Sequence, residues 1–365
     1  MKKIIIISVS VMLIIIVGML SMHGNERNTE VTKEKTKVGF IYNGKVDDKG
    51  WGQAHHEGIS MTAKELNLSV IYEESVPFDD TCITTIQGMI DSGCKIIICN
   101  SFDYGEYILK VAKNNPDIIF LHATGVEQAK NVATYFGRMY QMRYLSGIVA
   151  GMQTETDSIG YVAAFPIDEV NRGINAFTLG VQSVNPDAVV NVYWSESWTE
   201  DKANRDAANL LIDEYNADIL AMHCDTVAPL DVAEERGIWS IGYNMDNSDD
   251  YPNSFLTSAI WHWESFYTPE ILRCLQGKFQ AKNYWEGAET GIIDLSPFTH
   301  NVKDGIKDVV EAKKKEISSG SYDVFYGPIM DMDGEIRIGK GENMPNQLLL
   351  NSFDWYVKGV NIREE

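Results

Sequence analysis

The residues best suited to chemistry in this sequence fall in six short stretches. These are Asp47-Asp48-Lys49-Gly50-Trp51, Ser101-Phe102-Asp103-Tyr104, Phe165-Pro166, Ser197-Trp198, His223-Cys224-Asp225 and Tyr243-Asn244-Met245-Asp246. Flat aromatic rings offer a π-face to a planar ligand, and carboxylates accept hydrogen bonds from amines or hydroxyls. Apolar walls with a few convergent polar groups are what a small-molecule site requires. Trp51, Phe102, Phe165 and Trp198 are therefore candidate walls, and Asp48, Asp103, Asp225 and Asn244 candidate polar contacts. Some members have plainer uses. One of Asp47 and Asp48 suits a helix N-cap, and Phe102 or Phe165 suits a core.

Catalytic pairings are poor by comparison. The chain holds no G-x-S-x-G turn, no Walker-type loop, no G-x-G-x-x-G after a strand and no H-E-x-x-H. His223-Cys224-Asp225 has the residue types of a nucleophile cluster, but consecutive residues at a strand end point in different directions. Ser197, Thr257 and Ser258 have no evident paired base. The expectation is a binding protein without cofactor or metal, not an enzyme.

The elements that must position these stretches alternate with a steady rhythm. Lys37–Asn43, Leu68–Tyr72, Lys95–Cys99 and Asp117–His122 read as strands, separated by helix-length segments such as 51–66. The near-continuous apolar run Ile96-Ile97-Ile98 suits a strand buried on both faces of a parallel sheet. The rhythm restarts with strands at Ile159–Phe165, Val189–Trp194, Asp218–His223 and Trp239–Tyr243, with helices near 167–184, 201–215 and 227–236 between them. Two sets of βαβ units predict two doubly wound α/β lobes, and ligands of such sheets bind beyond the carboxyl ends of the strands. All six chemical stretches lie there.

Length and charge agree. A chain of 365 residues exceeds what one hydrophobic core usually serves. A formal charge of −21 repels phosphate backbones, which excludes nucleic acid and favours a neutral or cationic small ligand. Lys2 and Lys3 precede an uncharged apolar run from Ile4 to Leu20, the pattern of an export signal or a membrane anchor. Residues 1–24 are read as one or the other and 25–36 as a linker, which places the rest outside the cytoplasm. The five cysteines form no C-x-x-C pair and read as buried free thiols.

Several stretches together resemble the basic membrane protein family, substrate-binding proteins of ABC importers for purine nucleosides and related compounds. The resemblance begins with Val38-Gly39-Phe40-Ile41-Tyr42, Asp48-x-Gly50-Trp51 and His55-x-x-Gly58. It continues through His122-Ala123-Thr124-Gly125, Arg143-Tyr144-Leu145-Ser146-Gly147 and the run Arg172 to Gly180, and ends with Trp355-Tyr356-Val357-x-Gly359-Val360. It implies a periplasmic-binding-protein-like fold of two parallel-sheet lobes joined by three crossovers, near Gly137, Trp261 and Ile292. The lobes would comprise 37–136 with 262–291, and 137–261 with 292–365. It also implies a base held between Trp51 and Trp198, with Asp48, Asp103 and Asp225 at acidic family positions. Where relatives that grip a ribose have Asp and Lys, this chain has Asn244 and Trp261, which favours a bare base such as adenine. No lipid-anchoring cysteine follows the apolar run. The function implied is a monomeric receptor that captures a purine-like ligand and delivers it to an ABC permease. The alternative is a membrane-tethered sensor using the same fold without transport.

Overall fold

The computed structural model describes residues 35–362, so the expectations for residues 1–24 and for nearly all of the linker lie outside the described residues. From Thr36 onward the chain forms one compact unit. It opens with β1 (Lys37–Ile41), α1 (Trp51–Leu66), β2 (Ser69–Glu73), α2 (Asp80–Asp91), β3 (Ile96–Cys99), α3 (Gly105–Asn114), β4 (Ile119–Ala123) and β5 (Val132–Gly137). The chain then crosses to a second set: α4 (Tyr140–Gln153), β6 (Ser158–Ala163), α5 (Asp168–Val184), β7 (Val189–Trp194), α6 (Asp201–Tyr215), β8 (Ile219–His223), α7 (Ala228–Arg236), β9 (Trp239–Asn244) and β10 (Phe255–Trp261). It crosses back for α8 (Glu264–Leu275) and β11 (Asn283–Glu286), then leaves again for β12 (Ile293–Leu295) and α9 (Ile306–Ser318). A hairpin of β13 (Ile329–Met330) and β14 (Ile336–Ile338), the short α10 (Asn346–Asn351) and β15 (Val360–Ile362) complete it.

The first sheet is six-stranded in the order β11-β5-β4-β3-β1-β2, and the second seven-stranded in the order β12-β10-β9-β8-β6-β7-β15. Every pair is parallel except β10 with β12. The protein is thus an α/β fold of two doubly wound lobes joined by three crossovers. All four residues of β3 and all five of β8 are buried, which is why both read as unbroken apolar runs. Helix ends follow local chemistry. Asn67 and Asn216 close α1 and α6 in the left-handed region, and Gly237 does so for α7. All five cysteines are buried and free.

The second lobe is built on an unusually close helix pair. A Cβ at Gly147 of α4 would lie 2.0 Å from the Phe177 carbonyl oxygen, and one at Gly180 of α5 would lie 2.0 Å from that of Tyr144. The two backbones touch, so neither position tolerates a side chain. This pair carries Arg143 and Arg172 to the floor of the site described below. Gly180→Ala should destabilise the protein by about 3 kcal/mol or more, since an added methyl here can only be met by backbone movement. Urea unfolding of the two proteins measures it; equal midpoints would mean that the helices part at little cost.

Candidate functional site

The carboxyl ends of both sheets face one cleft of about 730 Å³. From the first lobe, Trp51 opens α1, and its indole N–H donates to the Asn100 carbonyl at 2.9 Å. Asn100 follows β3, and its own side-chain oxygen accepts from the Asn43 amide at 2.9 Å, joining the loops after β1 and β3. Phe102, Asp103, Thr124 and Phe136 extend this wall. From the second lobe come Phe165 after β6, Trp198 after β7 and Asp225 after β8, with Glu169 and Arg172 from the first two turns of α5. Trp285 of β11 and Leu350 and Asn351 of α10 also line the cleft.

Six of the nine expected residues line the cleft: Trp51, Phe102, Asp103, Phe165, Trp198 and Asp225. Asp48, Asn244 and Trp261 are not among its lining residues. Asp48 is turned onto its own helix start, where Oδ1 accepts from the amides of Gly50 and Gln53 and Oδ2 from that of Gly52, at 2.7–3.0 Å. It has the capping role open to one member of that acidic pair. Burial nonetheless pushes its carboxyl above the usual range, against those three bonds. Trp261 is buried and stacks on Trp263 with centroids 4.3 Å apart. Its N–H donates to Asn244 Oδ1 at 3.0 Å, and Asn244 Nδ2 donates to Asp225 Oδ1 at 2.9 Å. Both ends of the Asn244 amide are therefore engaged within the protein.

Trp51 is only 8 % exposed and meets His55, Trp261 and Trp263 edge to face at 4.3–6.0 Å, so it belongs to the core as much as to the cleft. Trp198 is half-buried and pairs with Phe165 at 5.9 Å, giving the second lobe an aromatic corner.

The residues missed in the sequence are chiefly the charged floor. Glu169 Oε1 lies 3.0 Å from His223 Nε2, while His223 Nδ1 lies 3.1 Å from the Tyr161 hydroxyl. Burial and the neighbouring Arg143 hold His223 down at about 4, so the imidazole is neutral. It then donates Nε2–H to the Glu169 carboxylate and accepts the Tyr161 proton at Nδ1. Burial opposes ionisation of Glu169, but its cationic and hydrogen-bonding neighbours prevail and hold its carboxyl below the usual range. Arg143 is buried, lies over the Tyr243 ring at 3.9 Å and donates to the Met222 carbonyl. Arg172 donates to the Leu349 carbonyl and so ties α5 to the C-terminal segment. The signal available for Glu169 and Arg172 was position: both follow the Phe165-Pro166 loop directly, on one face of the helix it starts.

The cleft is acidic, with Asp103, Asp168, Glu169 and Asp225 against the single guanidinium of Arg172. Asp225 is the most perturbed of these: burial, then the nearby Asp48, push its carboxyl up to about 7. Among the described residues, no group of three or more His, Cys, Asp or Glu side chains is placed to hold a metal ion.

The sequence and the fold have known counterparts. Residues 35–322 match the family described as ABC transporter substrate-binding protein PnrA-like. The chain belongs to that family. A purine-binding protein of Brucella abortus is 36% identical over 331 residues, 90% of this chain and 94% of the relative. A putative ABC transporter glucose-binding protein of Haloferax volcanii is also 36% identical, over 90% of this chain and 81% of its own length. Among solved structures, an ABC transporter solute-binding protein from Conexibacter woesei superposes with a TM-score of 0.68 at 21% identity, covering 79% of this chain and 98% of that one. The family is one of solute-binding receptors rather than enzymes, and this chain is an ABC transporter substrate-binding protein.

Folding keeps Asp225 protonated where the unfolded chain has already released the proton. Below the unfolded value of 3.8 both states hold it and nothing is lost; the cost grows as pH rises and is complete above about 7. Asp225→Asn should therefore raise stability at pH 8 by about 2–4 kcal/mol and by almost nothing at pH 4. Chemical denaturation at the two pH values reads the difference; an equal gain at both would mean that Asp225 is not desolvated.

Proposed function

We propose that this receptor captures a purine-like ligand, a free nucleobase such as adenine or a nucleoside, between its lobes outside the cytoplasm. It works as a monomer, presents the ligand unaltered to an ABC permease, and is exported or anchored by its apolar N-terminal run. The observation that carries the reading is the pairing of aromatic walls with a few acidic and amide groups: Trp51 and Phe136 from one lobe, Phe165 and Trp198 from the other. Flat heteroaromatic rings stack on such walls, and ring amines and imines bond to such polar groups. The name of the Brucella relative points the same way.

The excess of carboxyl groups over guanidinium groups around the cleft favours uncharged bases and nucleosides over their phosphates. A bare base is favoured over a nucleoside because Asn244 and Trp261, which stand where the family resemblance places ribose-gripping groups, are bonded to each other. Buried sugar hydroxyls without partners would cost about 1–3 kcal/mol each. A hexose is the second reading. The Haloferax relative's name supports it, and a sugar ring can also lie on an indole face with its hydroxyls on Asp and Asn.

Thermal-shift and calorimetric titrations with adenine, guanine, their nucleosides, AMP and glucose test this. A true ligand at a hundred times its Kd adds about 2.7 kcal/mol to the folded state. Adenine should give the largest shift and AMP little; a shift with glucose alone would replace the purine reading by the hexose one. Trp198→Ala should weaken binding by about tenfold or more, the worth of one base–aromatic stack. Unchanged affinity in the folded variant would remove Trp198 from the site.

A further inference from the structure

We infer that Trp261, Asn244 and Asp225 form a relay that fixes what Asp225 shows the ligand: a hydrogen-bond donor on Oδ2, directed at an unprotonated ring nitrogen. This rests on the purine reading above and names the ligand feature that its site selects.

The relay follows from donor and acceptor chemistry. An indole nitrogen can only donate, so the Asn244 atom 3.0 Å from Trp261 Nε1 is the carbonyl oxygen. The orientation of the amide is thereby determined, with its NH2 group towards Asp225. That group can only donate, so Asp225 Oδ1, 2.9 Å away, is an acceptor, a role that suits the carbonyl oxygen of a carboxyl better than its hydroxyl. A proton on the carboxyl is therefore favoured on Oδ2, for which no partner is present among the described residues, and Asp225 is the member of the three that lines the cleft. The upstream members have little freedom. Asn244 is 1 % exposed with its backbone in the left-handed region at φ 71°, and Trp261 is 5 % exposed and stacked on Trp263.

The charges around Asp225 come from every side. Asp48 faces it from the start of α1 and Glu169 from α5, and both disfavour its ionisation. Arg143 from α4 and the Asn244 amide favour it; Tyr243 and Cys224 lie close enough to feel its charge. Burial and Asp48 prevail, and the carboxyl titrates at about 7. The site therefore offers a donor below neutrality and an acceptor above it. A ring nitrogen with a lone pair, as in adenine, suits the donor, whereas a ring N–H at that place, as in hypoxanthine, suits only the acceptor.

The test is calorimetric titration of adenine and hypoxanthine at pH 6 and pH 8, in two buffers of different ionisation enthalpy. The native protein should bind adenine about tenfold more tightly at pH 6, taking up close to one proton per site at pH 8. Trp261→Phe keeps a ring but frees the amide to turn its oxygen to Asp225. The proton then moves to Oδ1, and the preference for adenine over hypoxanthine should fall about tenfold. Asn244→Gly, which suits the positive φ, breaks the same link without backbone strain and should act alike. Carbon-13 titration of the Asp225 carboxyl in ligand-free protein is the second readout, and both variants should raise its midpoint by about one unit, since a bond to the ionised form is lost. Variants with unchanged titration and unchanged selectivity would overturn the relay. If neither base binds the native protein, the purine reading fails, and the ligand-free titration still decides whether the relay exists.

Discussion

Four aromatic side chains where the chain crosses between lobes hold the rest of the molecule in place. Trp263 lies stacked between His55 and Trp261, at 4.2 and 4.3 Å with ring planes 11° apart in each case. Trp51 meets all three rings near a right angle. These residues come from α1, from the end of β10 and from the crossover that follows it, so the stack ties the first lobe's leading helix to the second lobe's last long strand. The packing also reaches the other crossover. A Cβ at Gly137 would lie 2.5 Å from Trp261 Cζ3, which confines that bend to glycine. Aromatic pairs of this geometry contribute about 0.5–1.5 kcal/mol each beyond their buried area. His55 can join the stack because full burial holds its ring far below its ordinary titration range, so no charge is enclosed.

From that stack the constraint passes directly into the cleft. Trp51 lines the cleft while its N–H is held by Asn100, and Trp261 reaches Asp225 through Asn244. Gly50 lies against the same place: a Cβ there would be 3.6 Å from the Asp225 carbonyl and 3.7 Å from Asn244 Nδ2. Lys49 extends the contact, with its carbonyl accepting from Asn247 and its ammonium paired to Asp250 at 2.8 Å. The first-lobe loop is seated on the second lobe beside the polar anchor of the site. The lining of the cleft and the contact between the two lobes therefore share residues.

The floor of the second lobe solves a different problem. Glu169 and Asp225 stand close together in an acidic cleft, where two bare carboxylates would repel each other. Arg143, enclosed and lying on Tyr243, balances part of that charge from below, and Arg172 balances part from the rim of α5. The close contact of α4 with α5 at Gly147 and Gly180 places both guanidinium groups there.

The alternation of strands and helices is legible in the sequence, because parallel strands buried on both faces leave unbroken apolar runs and the helices between them start and end on local signals. The expected helices 51–66 and 201–215 agree with α1 and α6 residue for residue, and six of nine expected site residues line the cleft. The rule that ligands sit beyond strand ends selects loops, and it is blind to which side chain of a loop turns inward. The capping role open to one of Asp47 and Asp48 falls to Asp48, a local contact, whereas the bond between Asn244 and Trp261 behind Asp225 needed two neighbouring strands to pair. Only the tertiary structure brought in Trp285, Leu350 and Asn351, which come from a β-strand and a short helix far along the chain, and which no local pattern joins to Trp51. The edge strands β12 and β15 are three residues long, too short for a periodic signal, and exist because a longer neighbour supplies their hydrogen bonds. Local physics chose the elements; the way loops and segments from distant parts of the chain pack together chose which of their side chains line the cleft.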